Sequence, residues 1–238
     1  MVLKLSDYQK IVVLTGAGVS VASGLGTYRG PGGLWEKEDL AKYTHVAMMH
    51  ADPRGMWKAF GPLRQSACEA EPNAAHFALA ALEKKLLTSQ RFQLATQNVD
   101  GFHQMAGSSN VIELHGNLRF SRCSNRDCDL PRFEDEEAHL DELPLCERCG
   151  EFIRPDIVLF GEILPPRVIP RSEAALINCD LFISIGTSGM VMPAAKFVSV
   201  AKDEGARTIY LNVEPTQNAD FDEEVIGPAE KTLLDLFV

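Results

Sequence analysis

The residues best equipped for chemistry lie in one stretch, Thr96-Gln97-Asn98-Val99-Asp100-Gly101-Phe102-His103. Two amides, a carboxylate and an imidazole stand close together there, so the stretch can donate, accept and orient. It follows Phe92-Gln93-Leu94-Ala95, an apolar-leaning run that reads as a short buried strand. Asn110-Val111-Ile112-Glu113-Leu114 reads as another strand and runs into His115-Gly116-Asn117. A His at a strand end, followed by Gly, faces a crevice rather than a helix core. A neutral imidazole in that position can take a proton near pH 7. His115 therefore has the strongest context for a general base. His103 is the next candidate, with orientation of its neighbours as the other reading, and His76 reads as a packed or capping residue. His45, His50 and His139 read as surface residues.

Two further strand ends carry small residues. Lys10-Ile11-Val12-Val13-Leu14 is a continuous apolar run, as expected of a strand buried on both faces. Thr15-Gly16-Ala17-Gly18-Val19-Ser20 follows it, and Gly24 closes the loop. Glycines there leave room for a ligand, and a helix starting there points free N–H groups at an anion such as a pyrophosphate. The spacing departs from G-x-G-x-x-G, because the third glycine position holds Val21. A plain tight turn is the competing reading. Leu181-Phe182-Ile183-Ser184-Ile185 ends in Gly186-Thr187-Ser188-Gly189. Thr208-Ile209-Tyr210-Leu211 ends in Asn212-Val213-Glu214, whose carboxylate could accept from a ribose diol. Five such strand ends at one sheet edge would let a dinucleotide lie across it. The residues alone lead to an NAD-type ligand, a polar reaction centre and one His base. Hydride transfer and group transfer at the ribose both stay open.

Of six cysteines, Cys123, Cys128, Cys146 and Cys149 cluster, while Cys68 and Cys179 stand apart. The first pair has four intervening residues, the second two, and seventeen separate the pairs. Four unrelated buried thiols would not fall into two close pairs at ribbon-like spacing. A tetrahedral four-cysteine zinc site is expected, and a full set of protein ligands makes it structural.

These sites need elements to hold them. Alternating strand and helix patterns predict an α/β fold, a doubly wound parallel sheet with helices on both faces. Residues 26–72, with Gly30-Pro31-Gly32-Gly33, Trp35 and Trp57, read as a loop and a small helical module. Asn73 caps an expected helix over 74–87. Phe133-Glu134-Asp135-Glu136-Glu137 reads as a solvated loop. After it, 153–162 reads as an extended run that returns to the doubly wound pattern. A helix around 172–177, another over 193–204, and a last strand at 208–211 complete the chain.

The net charge of −10 excludes a stable grip on nucleic acid, which needs a basic patch. An acidic field favours a basic peptide, although solubility alone accounts for it. No apolar run approaches the ~20 residues of a transmembrane helix, and the first residues lack a signal peptide's basic start and apolar core. No membrane contact and a cytoplasmic location are expected.

Taken together, these motifs resemble the sirtuins, the NAD-dependent protein-lysine deacylases, over nearly the whole chain. Gly16-Ala17-Gly18-Val19-Ser20, with Tyr28-Arg29-Gly30, resembles the family's first NAD loop, where Phe is usual at position 28. Thr96-Gln97-Asn98-Val99-Asp100 with His103 is similar to its central motif, and His115-Gly116 to its catalytic histidine motif. The cysteines are similar to its zinc ribbon, whose first pair is usually C-x-x-C. Phe160-Gly161-Glu162, Gly186-Thr187-Ser188, Asn212-Val213-Glu214 and Gly227-Pro228-Ala229 follow in the family's order.

The resemblance implies a Rossmann-like NAD-binding domain over 1–26, 76–120 and 156–238. A smaller inserted domain would combine the helical module, 27–75, with the zinc ribbon, 121–155. It implies NAD as co-substrate and one structural zinc. Cofactor residues would be Gly16, Ala17, Gly18, Ser20, Tyr28, Arg29, Gln97, Asn98, Val99, Asp100, Gly186, Thr187, Ser188, Asn212, Val213, Glu214 and Ala229. His115 and Asn98 would be catalytic. An acyl-lysine protein or peptide would pair its backbone with the segment carrying Val158, Phe160, Gly161 and Glu162. Members that remove succinyl or malonyl groups carry Tyr-x-x-Arg in the helical module. Here the matching positions are Phe60 and Leu63, with Arg64 one residue away, so an apolar acyl pocket and deacetylation are expected. Desuccinylation, ADP-ribosyl transfer and NAD hydrolysis are the alternatives. With little chain beyond the motifs, a single catalytic unit is expected.

Overall fold

The computed structural model describes residues 2–28, 33 and 38–237, with the backbone alone for residues 38 and 39. Arg29, Gly30-Pro31-Gly32 and Trp35 lie outside the described residues. The strands are β1 (Lys10–Thr15), β2 (Arg91–Thr96), β3 (Val111–Glu113), β4 (Gly116–Cys123), β5 (Phe133–Glu134), β6 (Ile153–Ile157), β7 (Leu181–Ile185), β8 (Arg207–Asn212) and β9 (Glu223–Ile226). The helices are α1 (Glu38–Tyr43), α2 (Val46–Ala51), α3 (Pro53–Glu69), α4 (Ala74–Lys85), α5 (Phe102–Met105), α6 (Val168–Leu176), α7 (Phe197–Asp203) and α8 (Ala229–Thr232).

The main sheet has the order β3-β2-β1-β7-β8-β9, and every pairing in it is parallel. Its central strands are apolar on both faces because both are covered. Along β1, Ile11 and Val13 pack with Leu79 and Leu82 of α4, while Val12 and Leu14 pack with Leu176 of α6 and Val198 of α7. The chain moves outward from β1 to β3, then returns to β7 on the other side of β1. That reversal makes a switch point, and a crevice opens beyond the strand ends there.

A second, antiparallel sheet has the order β5-β4-β6. It corrects the expectation that the run after the cysteines rejoins the doubly wound sheet. Ile153 and Ile157 of β6 pack instead on Met56, Trp57 and Phe60 of α3. The expected boundaries at 120 and 156 fall inside β4 and β6. Strand β9 was not foreseen: it opens on Glu223 and Glu224, the profile of an exposed edge strand. The helix expected over 193–204 is a 3-10 turn, Ala194–Lys196, followed by α7.

Helix α4 starts as its sequence signals. The Asn73 side chain accepts from Ala75 N at 2.9 Å, and His76 Nδ1 accepts from Asn73 N at 3.1 Å. His76 is fully buried in this capping role.

The segment between the cysteine pairs is not a solvated loop throughout. Phe133–Glu134 forms β5, and Asp135 Oδ2 lies 2.9 Å from Nη1 of the buried Arg64. Arg64 also donates to the carbonyls of Phe120 and Glu137 and to Ser121 Oγ. His139 sits 3.0 Å from Asp135 and edge-on to Trp57 at 4.6 Å, so it is half-buried rather than a surface residue. Removing one partner of a buried pair leaves the other charge uncompensated. Asp135→Ala should destabilise the protein by about 3–5 kcal/mol in urea unfolding. The double variant Arg64→Met/Asp135→Ala should recover most of that loss.

Candidate functional site

A cleft of about 1080 Å³ opens at the switch point, between the carboxyl ends of the main sheet and the second sheet. The loop after β1 contributes Gly16, Ala17 and Gly18, and Tyr28 stands further along. The stretch after β2 contributes Gln97, Asn98 and Val99, and His115 comes from the turn between β3 and β4. Gly186, Thr187 and Ser188 follow β7, Asn212, Val213 and Glu214 follow β8, and Ala229 opens α8. Val158, Phe160, Gly161 and Glu162 line the opposite side. Residues from all five expected strand ends therefore meet in one cleft. Ser20 and Asp100 are buried behind its wall. Met190, Val191, Met192 and Pro193 line it unforeseen, since an apolar loop carries no polar signal.

The glycines of the two small-residue loops serve each other before any ligand. Gly16 N donates to Ile185 O at 3.0 Å and Gly18 N to Gly186 O at 2.8 Å. A Cβ on Gly18 would lie 2.7 Å from Gly186 Cα, and one on Gly186, whose φ is +60°, 2.6 Å from Val19 N. The chain continues as a seven-residue 3-10 helix, Ala17–Ser23, rather than an α-helix. The N–H donors of Gly16 and Gly18 are therefore taken by protein carbonyls.

At the other end of the cleft, His115 Nδ1 lies 3.0 Å from the Gln97 carbonyl. A carbonyl only accepts, so Nδ1 carries the proton and Nε2 the lone pair. Burial pushes the His115 pKa down, against the opposing pull of the Gln97 bond, so the ring is a neutral base at pH 7. Gln97 Nε2 donates to Thr187 Oγ1 at 2.8 Å and ties this end to the loop after β7.

Behind Asn98 runs a buried polar network. Ser20 Oγ donates to Asp100 Oδ2 at 2.8 Å and accepts from Asn98 Nδ2 at 3.1 Å. Asn98 Oδ1 is buried without a partner among the described residues. Burial pushes the Asp100 pKa up, while bonds from Phe102 N and Ser20 and the charge of Arg119 pull it down. Burial, and then the proximity of Asp100, holds the Tyr28 phenol above its usual range. His103 Nε2 lies 2.9 Å from Thr15 Oγ1, which donates to Thr96 Oγ1. That contact holds the buried His103 ring against Thr15.

The segment expected to receive a peptide is partly committed. Phe160 N donates to Thr44 O, and Phe160 O accepts from Val46 N. Val158 N donates to His115 O at 2.8 Å, which joins this segment to the base. Glu162 turns inward: its buried carboxylate accepts from Arg154 at 2.7 and 3.0 Å and from Leu159 N at 2.8 Å. The N–H groups of Val158, Leu159 and Phe160 are thus taken within the chain.

The four clustered cysteines stand apart from the cleft. Their Sγ atoms all lie within 4.8 Å of one another, with 3.4 Å between Cys123 and Cys149 and 3.7 Å between Cys128 and Cys146. Zn–S bonds of about 2.3 Å in a tetrahedron put the sulfurs about 3.8 Å apart. The set fits a four-thiolate zinc with no open position. Gly150, at φ +76°, closes the second knuckle by donating to the Cys146 carbonyl. Metal release on denaturation should give one zinc per chain. Cys146→Ser should lose the metal and lower the melting temperature.

A parallel sheet with a dinucleotide-sized cleft at its switch point, a neutral His base and an attached four-cysteine module define an NAD-binding α/β enzyme class. The model for the Sir2 family matches residues 16–193, and the chain belongs to that family. A Pseudomonas aeruginosa protein named NAD-dependent protein deacylase 1 is 38% identical, covering 98% of this chain and 94% of its own length. A Thermus thermophilus NAD-dependent protein deacylase is 41% identical, covering 90% of this chain and 83% of its own. A solved Sir2 homologue–NAD complex is 38% identical with a TM-score of 0.86, covering 96% of this chain and 88% of its own. A Sir2 structure with a deacetylated p53 peptide and 3'-O-acetyl ADP-ribose is 29% identical with a TM-score of 0.86, covering 97% of this chain and 93% of its own.

Proposed function

We propose that this protein is an NAD-dependent protein-lysine deacylase acting on neutral acyl groups, acetyl first among them. The observation that carries the reading is His115, a cleft-lining imidazole whose tautomer the Gln97 carbonyl fixes with Nε2 as base. The similar Sir2 structures with NAD and with an acetylated ADP-ribose support it.

In this reading the acyl-lysine carbonyl oxygen displaces nicotinamide at the ribose. His115 takes the proton of a ribose hydroxyl as its oxygen bonds to the acyl carbon; the bond from that carbon to the lysine nitrogen breaks, and a water supplies the oxygen and protons that complete O-acyl-ADP-ribose and free lysine. Asn98 and Asp100 serve the nicotinamide and its ribose. The loops at Gly16–Gly18 and Gly186–Ser188, with Glu214, serve the phosphates and the adenosine side. Arg29, outside the described residues, is assigned here on the resemblance alone. Four thiols kept for a metal suit a reducing compartment, which supports a cytoplasmic location.

The acyl preference rests on two features. Phe60 and Leu63 line the cleft, whereas Arg64 is locked away behind them by four acceptors. Among the described residues lining the cleft there is no lysine or arginine to pair an acyl carboxylate.

Mass spectrometry of NAD incubated with an acetyl-lysine peptide should show peptide-dependent nicotinamide release and O-acetyl-ADP-ribose. Nicotinamide release without peptide would point to a hydrolase instead. A succinyl-lysine peptide should turn over at least about tenfold less efficiently, a difference of about 1.4 kcal/mol; equal rates would remove the apolar-pocket argument. His115→Ala should bind NAD and lose turnover. Because burial lowers the His115 pKa, the acid limb of kcat/KM should have its midpoint below the ordinary value of 6.5.

A further inference from the structure

The corner at Asp100-Gly101, where the chain leaves the cleft for α5, is held from outside the main sheet. Gly101 has φ +79°, and a Cβ there would lie 3.1 Å from Asn117 Nδ2 and 3.2 Å from Arg119 Cδ. Both neighbours come from β4. Arg119 Nε donates to the Asp100 carbonyl at 3.2 Å, and Nη2 donates to the Ala67 carbonyl near the end of α3 at 2.8 Å. Nη1 pairs with Glu136 at 2.5 Å. The Arg119 main chain is fixed as well, since its N donates to Asn117 Oδ1 at 2.9 Å. One guanidinium thus joins the helical module, the segment between the cysteine pairs and the central polar stretch. Its side chain is 15% exposed, and it is not among the residues lining the cleft. Ser20 and Tyr28 also face Asp100, with His76 behind Ser20, and Arg119 is the cation acting on its carboxylate.

We propose that Arg119 is a positioning residue for the nicotinamide-ribose end of the NAD site. It fixes the Asp100-Gly101 corner, and with it the geometry of Asp100 and of Asn98 two residues earlier. The proposal rests on the NAD reading above. A residue that only tied modules together would alter stability without separating the two substrates. A residue that sets this corner alters NAD binding and leaves the peptide side, on the far wall, unchanged.

The test measures NAD affinity by calorimetry without peptide, then the KM for NAD and for an acetyl-lysine peptide. Arg119→Met should weaken NAD binding about tenfold, the scale of a lost charge-assisted hydrogen bond. It should raise the KM for NAD in step, keep the KM for peptide within about twofold and retain one zinc per chain. Arg119→Lys keeps the charge but loses the fork, and should recover only part of the affinity. Glu136→Gln touches the exposed end alone and should stay within about twofold of the wild type. NAD affinity of Arg119→Met within twofold of wild type, or both KM values rising together, would overturn the proposal. Should Arg119→Met not fold, Arg119→Lys decides by the same split between NAD and peptide. Wild-type protein that binds NAD without deacylating ends the deacylase reading, yet the calorimetric series still decides the role of Arg119. Wild-type protein that binds no NAD overturns both.

Discussion

Gly18 N and Gly186 O meet at 2.8 Å, and no side chain fits between the backbones that carry them. This contact joins the loop after β1 to the loop after β7 and closes the cleft floor where the strand order reverses. Much of the rest follows from it. Thr187, one residue past the contact, accepts from Gln97, and the Gln97 carbonyl in turn fixes the His115 ring. The parallel register that sets Thr15 beside both Thr96 and Ile185 brings the three strand ends level, so that these short bonds can form. A side chain at Gly18 would part the loops, and the displacement would reach the base through two hydrogen bonds.

The second sheet is joined to this frame by main-chain continuity. Strand β3 ends at Glu113, His115 occupies the turn, and Gly116, at φ +82°, starts β4 with no room for a Cβ against the Asp156 carbonyl. The same strand runs on to Cys123, so one strand links the turn that carries the base to the first cysteine. The cysteine cluster and the Arg64–Asp135 pair therefore act on the cleft mechanically. They hold β4 and its hairpin partners, and β4 holds His115.

Burial on both faces made β1 and β7 legible, because it leaves an unbroken apolar run. The cap of α4 was legible because Asn73 and His76 stand at the required spacing. The chain order of polar strand ends located the cleft. Which side of a wall each residue takes was not legible, since Ser20 and Asp100 belong to the same motifs as their cleft-lining neighbours. The segment carrying Asp135 was misread because its charge partner, Arg64, lies in a distant helix, and local composition cannot report such a pairing. Arg64 itself, open to an acyl-contacting role in the sequence, is excluded from it only by the four acceptors that surround it. Strand β9 was hidden by its acidic start. Arg119 had no signal at all: a lone arginine in a strand gains meaning only when three carbonyl and carboxylate partners converge on it.

The polar network behind the cleft shows how a local feature sets chemistry at a distance. Asn73 N donates to His76 Nδ1 as part of a helix cap, so the neutral ring carries its proton on Nε2. Burial lowers the His76 pKa to about 4 and keeps the ring neutral. Nε2–H then points at Ser20 Oγ, 3.3 Å away. Ser20 gives its own proton to Asp100 and has only acceptor capacity left for Asn98. Asn98 must therefore turn its Nδ2 to Ser20, which leaves Oδ1, on a residue that lines the cleft, without a partner among the described residues. A buried acceptor left unpaired costs about 1–3 kcal/mol. The start of α4 thus sets, through His76 and Ser20, which atom of Asn98 is left unpaired.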